Sequence, residues 1–285
     1  MLTLASDFGT PYPAAMKGVL VQRTDARLVD VAHDFPRQNV RAAAFWLREV
    51  LPYFPPATHL VVIDPGVGTD RRAIVVRAGD HALVGPDNGV LLPAARRLAD
   101  GVPLETYTID ETLLDPVEPA GTGPDATALS ATGGRDGREG PASATFHGRD
   151  VFAPAAAGVH EAGIEGIDDL EWLEPLADDP VDHTLPTPTL ADDRAAGEVL
   201  VVDEFGNVIT NVPGDVLAER ERIVANGDPV SVGETFAAVP AGERVATVGS
   251  HGYVELDVNR GRGDASFGLE PGDRIELEPI DRDEG

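Results

Sequence analysis

Short apolar runs alternate with helix-length amphipathic stretches through the first 110 residues, and this alternation restricts the fold more than any other feature of the chain. Residues 1–5, 28–31 and 60–63 read as buried strands. Between the second and third, Val40, Ala43, Ala44, Leu47 and Leu51 fall on one face at helical periodicity, with Gln38-Asn39 placed to start the helix and Pro52 to end it. Residues 73–77 and 82–84 continue the strand series around a Gly79-Asp80 turn. Strand–helix–strand order predicts a parallel α/β sheet packed as a sandwich with its helices.

The pattern breaks twice. Residues 117–143 are rich in Gly, Ala, Thr, Pro and Asp, carry almost nothing to bury, and are expected to form an exposed, mobile insertion. Helix-like sequence returns over 150–170, and 174–196 is then rich in Pro and Asp. From Gly197 onward helical periodicity is scarce, and strands are expected at 199–202, 244–248 and 253–258. The expected organisation is an N-terminal α/β domain over 1–180, a linker over 181–196 and a smaller all-β domain over 197–285.

Charge narrows the choice of partners. The chain carries 49 acidic against 22 basic residues, a formal net charge of -27, and Lys17 is its only lysine. Such a surface repels nucleic acid and anionic membranes. The acids are spread over the whole chain, as expected of a solvated anionic shell in a high-salt, halophilic cytoplasm that screens self-repulsion. Without cysteine there is no disulfide or thiolate site. Neither a secretory signal pattern nor an apolar run of the ~20 residues that span a bilayer is present, so a soluble cytoplasmic protein is expected.

Several loops hold residues able to do chemistry. Ser6-Asp7-Phe8-Gly9-Thr10 follows the first strand, and ligands of parallel sheets bind at the carboxyl ends of strands. The Asp7 carboxylate can accept hydrogen bonds from both hydroxyls of a ribose diol, or simply cap a turn. Asp64-Pro65-Gly66-Val67-Gly68-Thr69-Asp70-Arg71-Arg72 follows another strand and lets the backbone approach a ligand, or forms a charged surface turn; it lacks the Lys-Ser/Thr pair of a phosphate-binding loop. Pro86-Asp87-Asn88-Gly89 reads as a structural turn. Thr145-Phe146-His147-Gly148-Arg149-Asp150 sets a histidine among aromatic and small residues, whereas His33, His59 and His81 read as structural. No histidine pair has helical zinc-ligand spacing. Asp203-Glu204-Phe205-Gly206-Asn207 groups a carboxylate, a ring for stacking and an amide for an adenine edge, or else a hairpin turn; Ser250-His251-Gly252-Tyr253 is equally open.

The ordered set SDFGT, DPGVGTDRR, PDNG, TFHGRD and DEFGNVITN resembles the adenosine-forming S-adenosylmethionine hydrolases, relatives of the enzymes that place fluoride or chloride on the same carbon. The resemblance spans nearly the whole chain outside 117–143 and the Pro-rich linker. It implies an α/β domain followed by a β domain, and a homotrimer with active sites between the N-terminal domain of one subunit and the C-terminal domain of the next. It implies a catalytic set of Asp64, Arg71 and His147, and substrate contacts from Asp7 to the ribose, Phe205 and Asn207 to the adenine, and Asp203 and Ser250 to the amino-acid end of the methionine. No metal or organic cofactor is implied. Asp64 stands where the halogenases have tyrosine, and Gly148 where the fluorinase has a halide-binding serine; both changes favour water as nucleophile. The loop after Asp7 is about two residues short and lacks a second acidic residue of the family pattern, and Val258 replaces an arginine of the fluorinase.

The expected reaction is therefore hydrolysis of S-adenosyl-L-methionine to adenosine and methionine by in-line attack of water at the ribose C5′. In that scheme Arg71 can stabilise developing hydroxide, His147 can take the proton as general base, and Asp64 then orients one of them; the sequence leaves open which group takes the proton. Two alternatives stay open: a chlorinase, disfavoured by the anion-repelling Asp64, and a non-catalytic S-adenosylmethionine or nucleoside sensor, disfavoured by the intact Asp64, Arg71 and His147.

Overall fold

The computed structural model describes residues 1–117, 145–191 and 194–279. The chain divides into two compact units, Met1–Thr184 and Leu185–Gly285. Apart from Val117, the stretch expected to form a mobile insertion lies outside the described residues.

In the first unit the apolar runs become strands β1 (Leu2–Ser6), β2 (Leu28–Ala32), β3 (Thr58–Val62), β4 (Ala73–Ala78) and β5 (His81–Pro86), followed by β6 (Glu105–Ile109) and β7 (Leu173–Pro175). They form one sheet in the order β2-β1-β3-β5-β4-β6-β7. The pairs β1–β2, β1–β3 and β3–β5 are parallel, but β4 runs antiparallel to both β5 and β6, and β6 to β7. The sheet is thus mixed, not parallel throughout. The reason is the Gly79-Asp80 turn, with Gly79 at φ 57°: two residues close a hairpin, whereas a parallel crossover needs a dozen or so.

Among the described residues, four helices cover the two faces: α1 (Tyr12–Arg23), α2 (Val40–Val50), α3 (Leu92–Ala99) and α4 (Ala153–Ala162). Strand side chains alternate between faces. Leu60 and Val62 pack with Met16, Val19 and Leu20 of α1 and with the alanines of α4. Val61 and Ile63 pack with Ala43 and Leu47 of α2 and with Leu92, Ala94 and Ala95 of α3. The result is a helix–sheet–helix sandwich. Helix α2 starts as its sequence predicts, with the Asn39 side chain accepting the Ala42 N–H at 3.0 Å. The sheet's one buried histidine chain is structural: Thr3 Oγ1 meets His59 Nδ1 at 2.7 Å and His59 Nε2 meets His81 Nδ1 at 2.9 Å. Burial pushes the His59 imidazole down to about 3, so it packs uncharged.

The second unit is an all-β barrel. Strands β8 (Thr189–Ala191), β9 (Arg194–Val202), β10 (Val208–Pro213), β11 (Arg222–Ala225), β12 (Asp228–Val232), β13 (Arg244–Val248), β14 (Tyr253–Val258) and β15 (Arg274–Pro279) assemble in the order β10-β14-β13-β12-β11-β15-β9-β8. The β9–β10 pairing closes the sheet on itself. Val199, Val208, Val254, Leu256, Ile275 and Leu277 fill the core. Strand β8 and the first residues of β9 fall within the stretch the sequence marks as a linker. Among the described residues no helix is long and apolar enough to cross a membrane.

Candidate active site

The order of strands places the site. The chain leaves β1 to form β2 on one side and returns to form β3 on the other, so the direction of winding reverses between β1 and β3. Crevices that bind ligands open at such points, outside the carboxyl ends of the strands. The loop after β1 carries Asp7 and Phe8, that after β2 carries Arg37 and Gln38, and that after β3 begins with Ile63 and Asp64. Asp7, Phe8, Arg37, Gln38 and Asp64, together with Tyr12, Phe146, His147 and Gly148, line one cavity of ≈ 600 Å³. That is a volume suited to a nucleoside-sized ligand.

Asp7 is buried at the floor of the loop. One carboxylate oxygen, Oδ2, accepts the Gln38 N–H at 2.6 Å. Gln38 itself sits at φ 59°, in the left-handed region. A second tie joins the same two loops, since the Gly9 N–H donates to the His33 carbonyl at 2.7 Å. Asp7 is therefore held from behind while its other oxygen remains available.

Asp64, Arg71 and His147 form a single hydrogen-bonded set. The Arg71 guanidinium grips the Asp64 carboxylate with two bonds, Nε to Oδ1 at 2.9 Å and Nη2 to Oδ2 at 2.6 Å. The same Nη2 lies 2.8 Å from His147 Nδ1, a residue 76 positions away in sequence. The Asp64 and Arg71 side chains are only 5% and 9% exposed, and the guanidinium lies 4.9 Å from the centre of the Phe152 ring. Asp64 and His147 line the cavity; Arg71 does not. His147 is delivered by the turn that precedes α4, where Gly148–Phe152 winds as a π-helical turn, a wide geometry often found at functional positions. Arg149 and Asp150 pair across two bonds at 2.6 and 2.8 Å and anchor that turn.

The PDNG turn holds both ends of the loop between Asp64 and Arg71. The Asn88 side-chain amide donates to the carbonyl of Ile63 at 2.8 Å. The Asp87 carboxylate, nearly fully buried, accepts Arg72 Nε at 2.7 Å and the Val181 N–H at 2.8 Å. This turn, structural on the sequence alone, braces the residues that carry the charged set.

Sequence reasoning passed over the aromatic lining. Phe8, Tyr12 and Phe146 meet edge to face in a three-way cluster, with ring centres 5.4–6.2 Å apart. Two of them lie inside motifs quoted for other residues, so the motifs themselves carried the signal. Gly148 also shapes the cavity: a Cβ there would lie 3.0 Å from Met16 Sδ and 3.2 Å from the Phe146 ring. A serine in its place would crowd the wall.

The remaining candidates belong to the second unit. Asp203, Phe205 and Asn207 share the turn between β9 and β10. Asp203 accepts both the backbone N–H and the side-chain amide of Asn207, each at 2.9 Å, which leaves the Asn207 side-chain Oδ1 open to accept. Phe205 is 80% exposed, and Ser250 is exposed in the turn joining β13 to β14. Two buried acids near Asp203 were not anticipated. Burial, with Asp257 and Asp203 adding to it, pushes Glu255 up to about 7. Burial, with Asp203 adding to it, pushes Asp257 up to about 6. Three carboxylates at close quarters make this turn a favourable neighbour for a cation.

Comparison with known proteins gives a consistent picture. Residues 2–168 match the SAM hydroxide adenosyltransferase N-terminal domain and residues 197–276 its C-terminal domain. The chain is 40% identical to an (R)-S-adenosyl-L-methionine hydrolase of Thermus thermophilus over 95% of this chain and 97% of the relative. It is 37% identical to the protein of the same name from Salinispora tropica over 97% of both. Its fold is similar to a crystal structure of an uncharacterized conserved protein from Thermotoga maritima, with a TM-score of 0.76, 29% identity, and coverage of 97% of this chain and 99% of that one.

Proposed function

The chain belongs to the SAM hydroxide adenosyltransferase family, and from that premise we propose how its residues divide the work. The protein is a hydrolase that cleaves S-adenosyl-L-methionine to adenosine and methionine. Attack occurs at C5′ of the ribose, opposite the sulfonium. The sulfonium leaves as a neutral thioether, so the leaving group needs no general acid. Water is the weak partner, and catalysis consists mainly of holding it in line and stabilising the charge it develops.

What supports this division is the Asp64–Arg71–His147 set at a cavity that Asp7 also lines. Asp7 takes the ribose diol on its open oxygen. Asp64 and His147 hold the water, and Arg71 fixes both from behind. Phe205 and Asn207 frame the adenine, while Asp203 and Ser250 grip the amino-acid end, whose ammonium group suits the carboxylates around Asp203. The family resemblance extends the proposal to a homotrimer in which one copy's N-terminal cavity is completed by the C-terminal unit of another.

Chloride provides the sharpest test of water as nucleophile. The Asp64 carboxylate repels an anion at the position of attack. Incubation with S-adenosyl-L-methionine in molar potassium chloride, followed by chromatography, is expected to yield adenosine and methionine only. Formation of 5′-chloro-5′-deoxyadenosine would overturn the assignment of water, and unchanged substrate would overturn the proposal as a whole.

A further inference from the structure

The hydrogen bonds of the charged set decide which residue can accept a proton from the attacking water. A guanidinium carries five N–H donors and no acceptor. Arg71 Nη2 faces His147 Nδ1 at 2.8 Å, so Nδ1 must offer its lone pair there, and the ring hydrogen resides on Nε2. Neither ring nitrogen then has a free lone pair: Nδ1 is committed to Arg71, and Nε2 already bears hydrogen. A doubly protonated ring would set an N–H against the guanidinium N–H.

Asp64 stands in the opposite condition. A carboxylate has about four acceptor positions on its two oxygens. Arg71 occupies one on each oxygen, and among the described residues no other group takes those that remain. Of the three residues, Asp64 alone combines an open acceptor with a place on the cavity wall.

We propose that Asp64 accepts the proton of the attacking water, that His147 serves as a hydrogen-bond donor through Nε2–H, and that Arg71 is a positioning residue that fixes the carboxylate and the histidine tautomer together. This assignment rests on the hydrolase reading above and chooses the proton acceptor that the sequence leaves open, where His147 is the candidate base. The step balances simply. A water lone pair forms the new O–C5′ bond as the C5′–S bond breaks, and the bonding pair stays on sulfur. One hydrogen of the resulting oxonium passes to an Asp64 oxygen and then to solvent. Because an alkyl oxonium is a very strong acid, a carboxylate is basic enough to receive its proton; an imidazole is not required. A donor to the water oxygen and an acceptor for its hydrogen leave one lone pair to point at carbon.

The test sets conservative replacements side by side. His147→Gln keeps an amide oxygen for Arg71 and an N–H for water but has no basic nitrogen. It is expected to lower kcat by no more than ~10-fold, the effect of weakening one positioned hydrogen bond. Asp64→Asn, which keeps the shape and loses the base, is expected to lower kcat by ~10²–10⁴-fold. Asp64→Gly is expected to regain adenosine formation with added formate, in a saturable manner, while imidazole does nothing for His147→Gly. The assignment is overturned if His147→Gln falls as far as Asp64→Asn, or if imidazole restores His147→Gly and formate does not restore Asp64→Gly. Should Asp64→Gly fail to fold, the His147→Gln comparison still decides. Failure of the hydrolase reading itself is distinguishable, because the unaltered protein would then form no adenosine.

Discussion

Replacing Arg71 with alanine is expected to lower turnover of S-adenosyl-L-methionine by ~10²–10⁴-fold while changing substrate affinity little. The side chain lines no part of the cavity, so ground-state binding loses no contact. What disappears is the link that fixes Asp64 and His147 at the same time. Interactions realised only in the transition state affect kcat and kcat/KM together and leave binding alone. Stability falls as well, since Asp64 is left as a buried carboxylate without its counter-charge, a loss of ~3–5 kcal/mol in comparable buried pairs. Assays are therefore run well below the melting temperature of the variant. Arg71→Lys is expected to recover only a small part of the activity, because a point charge cannot reproduce a fork that bonds two partners. Steady-state kinetics and calorimetric binding check both variants. Near-normal kcat in Arg71→Ala would remove the positioning role.

Asp7→Ala is expected to act in the other direction, weakening substrate binding by ~10²-fold while changing kcat much less. Hydrogen bonds to a charged acceptor contribute ~1.5–3 kcal/mol each, and the ribose diol is present in ground and transition states alike. Loss of the Gln38 N–H tie adds to the effect, since it frees the backbone that shapes the cavity mouth. Asp7→Asn retains an acceptor for Gln38 and should fall between the two. Isothermal titration with S-adenosyl-L-methionine or adenosine measures the change. A collapse of kcat at unchanged affinity would place Asp7 in the chemical step and not in ribose recognition.

The fold was legible where burial imposed a simple pattern. Strands buried on both faces stand out as apolar runs, and α2 shows its stripe because its polar residues keep to the outside. Helix α1 was missed because Val21 is 64% exposed on its far side, which blurs the contrast between faces. A buried run also looks the same whichever way it points, so the antiparallel course of β4 had to come from the length of the Gly79-Asp80 turn. In the barrel, β11 is four residues long and β12 contains Pro229, so neither presents a clear strand pattern. The site was legible as motifs and not as geometry. Spacing alone says nothing of a bond between Arg71 and His147 across 76 residues; the resemblance to a family brought them together on paper. It left open which of the three takes the proton, and the choice of Asp64 comes from the direction of the Arg71–His147 hydrogen bond and the carboxylate's open acceptor positions. Glu255 and Asp257 escaped notice because acidic residues on a strand of so acidic a chain look like solvated surface until their burial is known.

Oxygen labelling tests the central claim most directly. If water held by Asp64 and His147 attacks C5′, a reaction in H₂¹⁸O gives adenosine with one ¹⁸O in its 5′-hydroxyl and methionine with none. Mass spectrometry of both products reads the outcome. Unlabelled adenosine, or label appearing in methionine, would contradict attack of water at C5′.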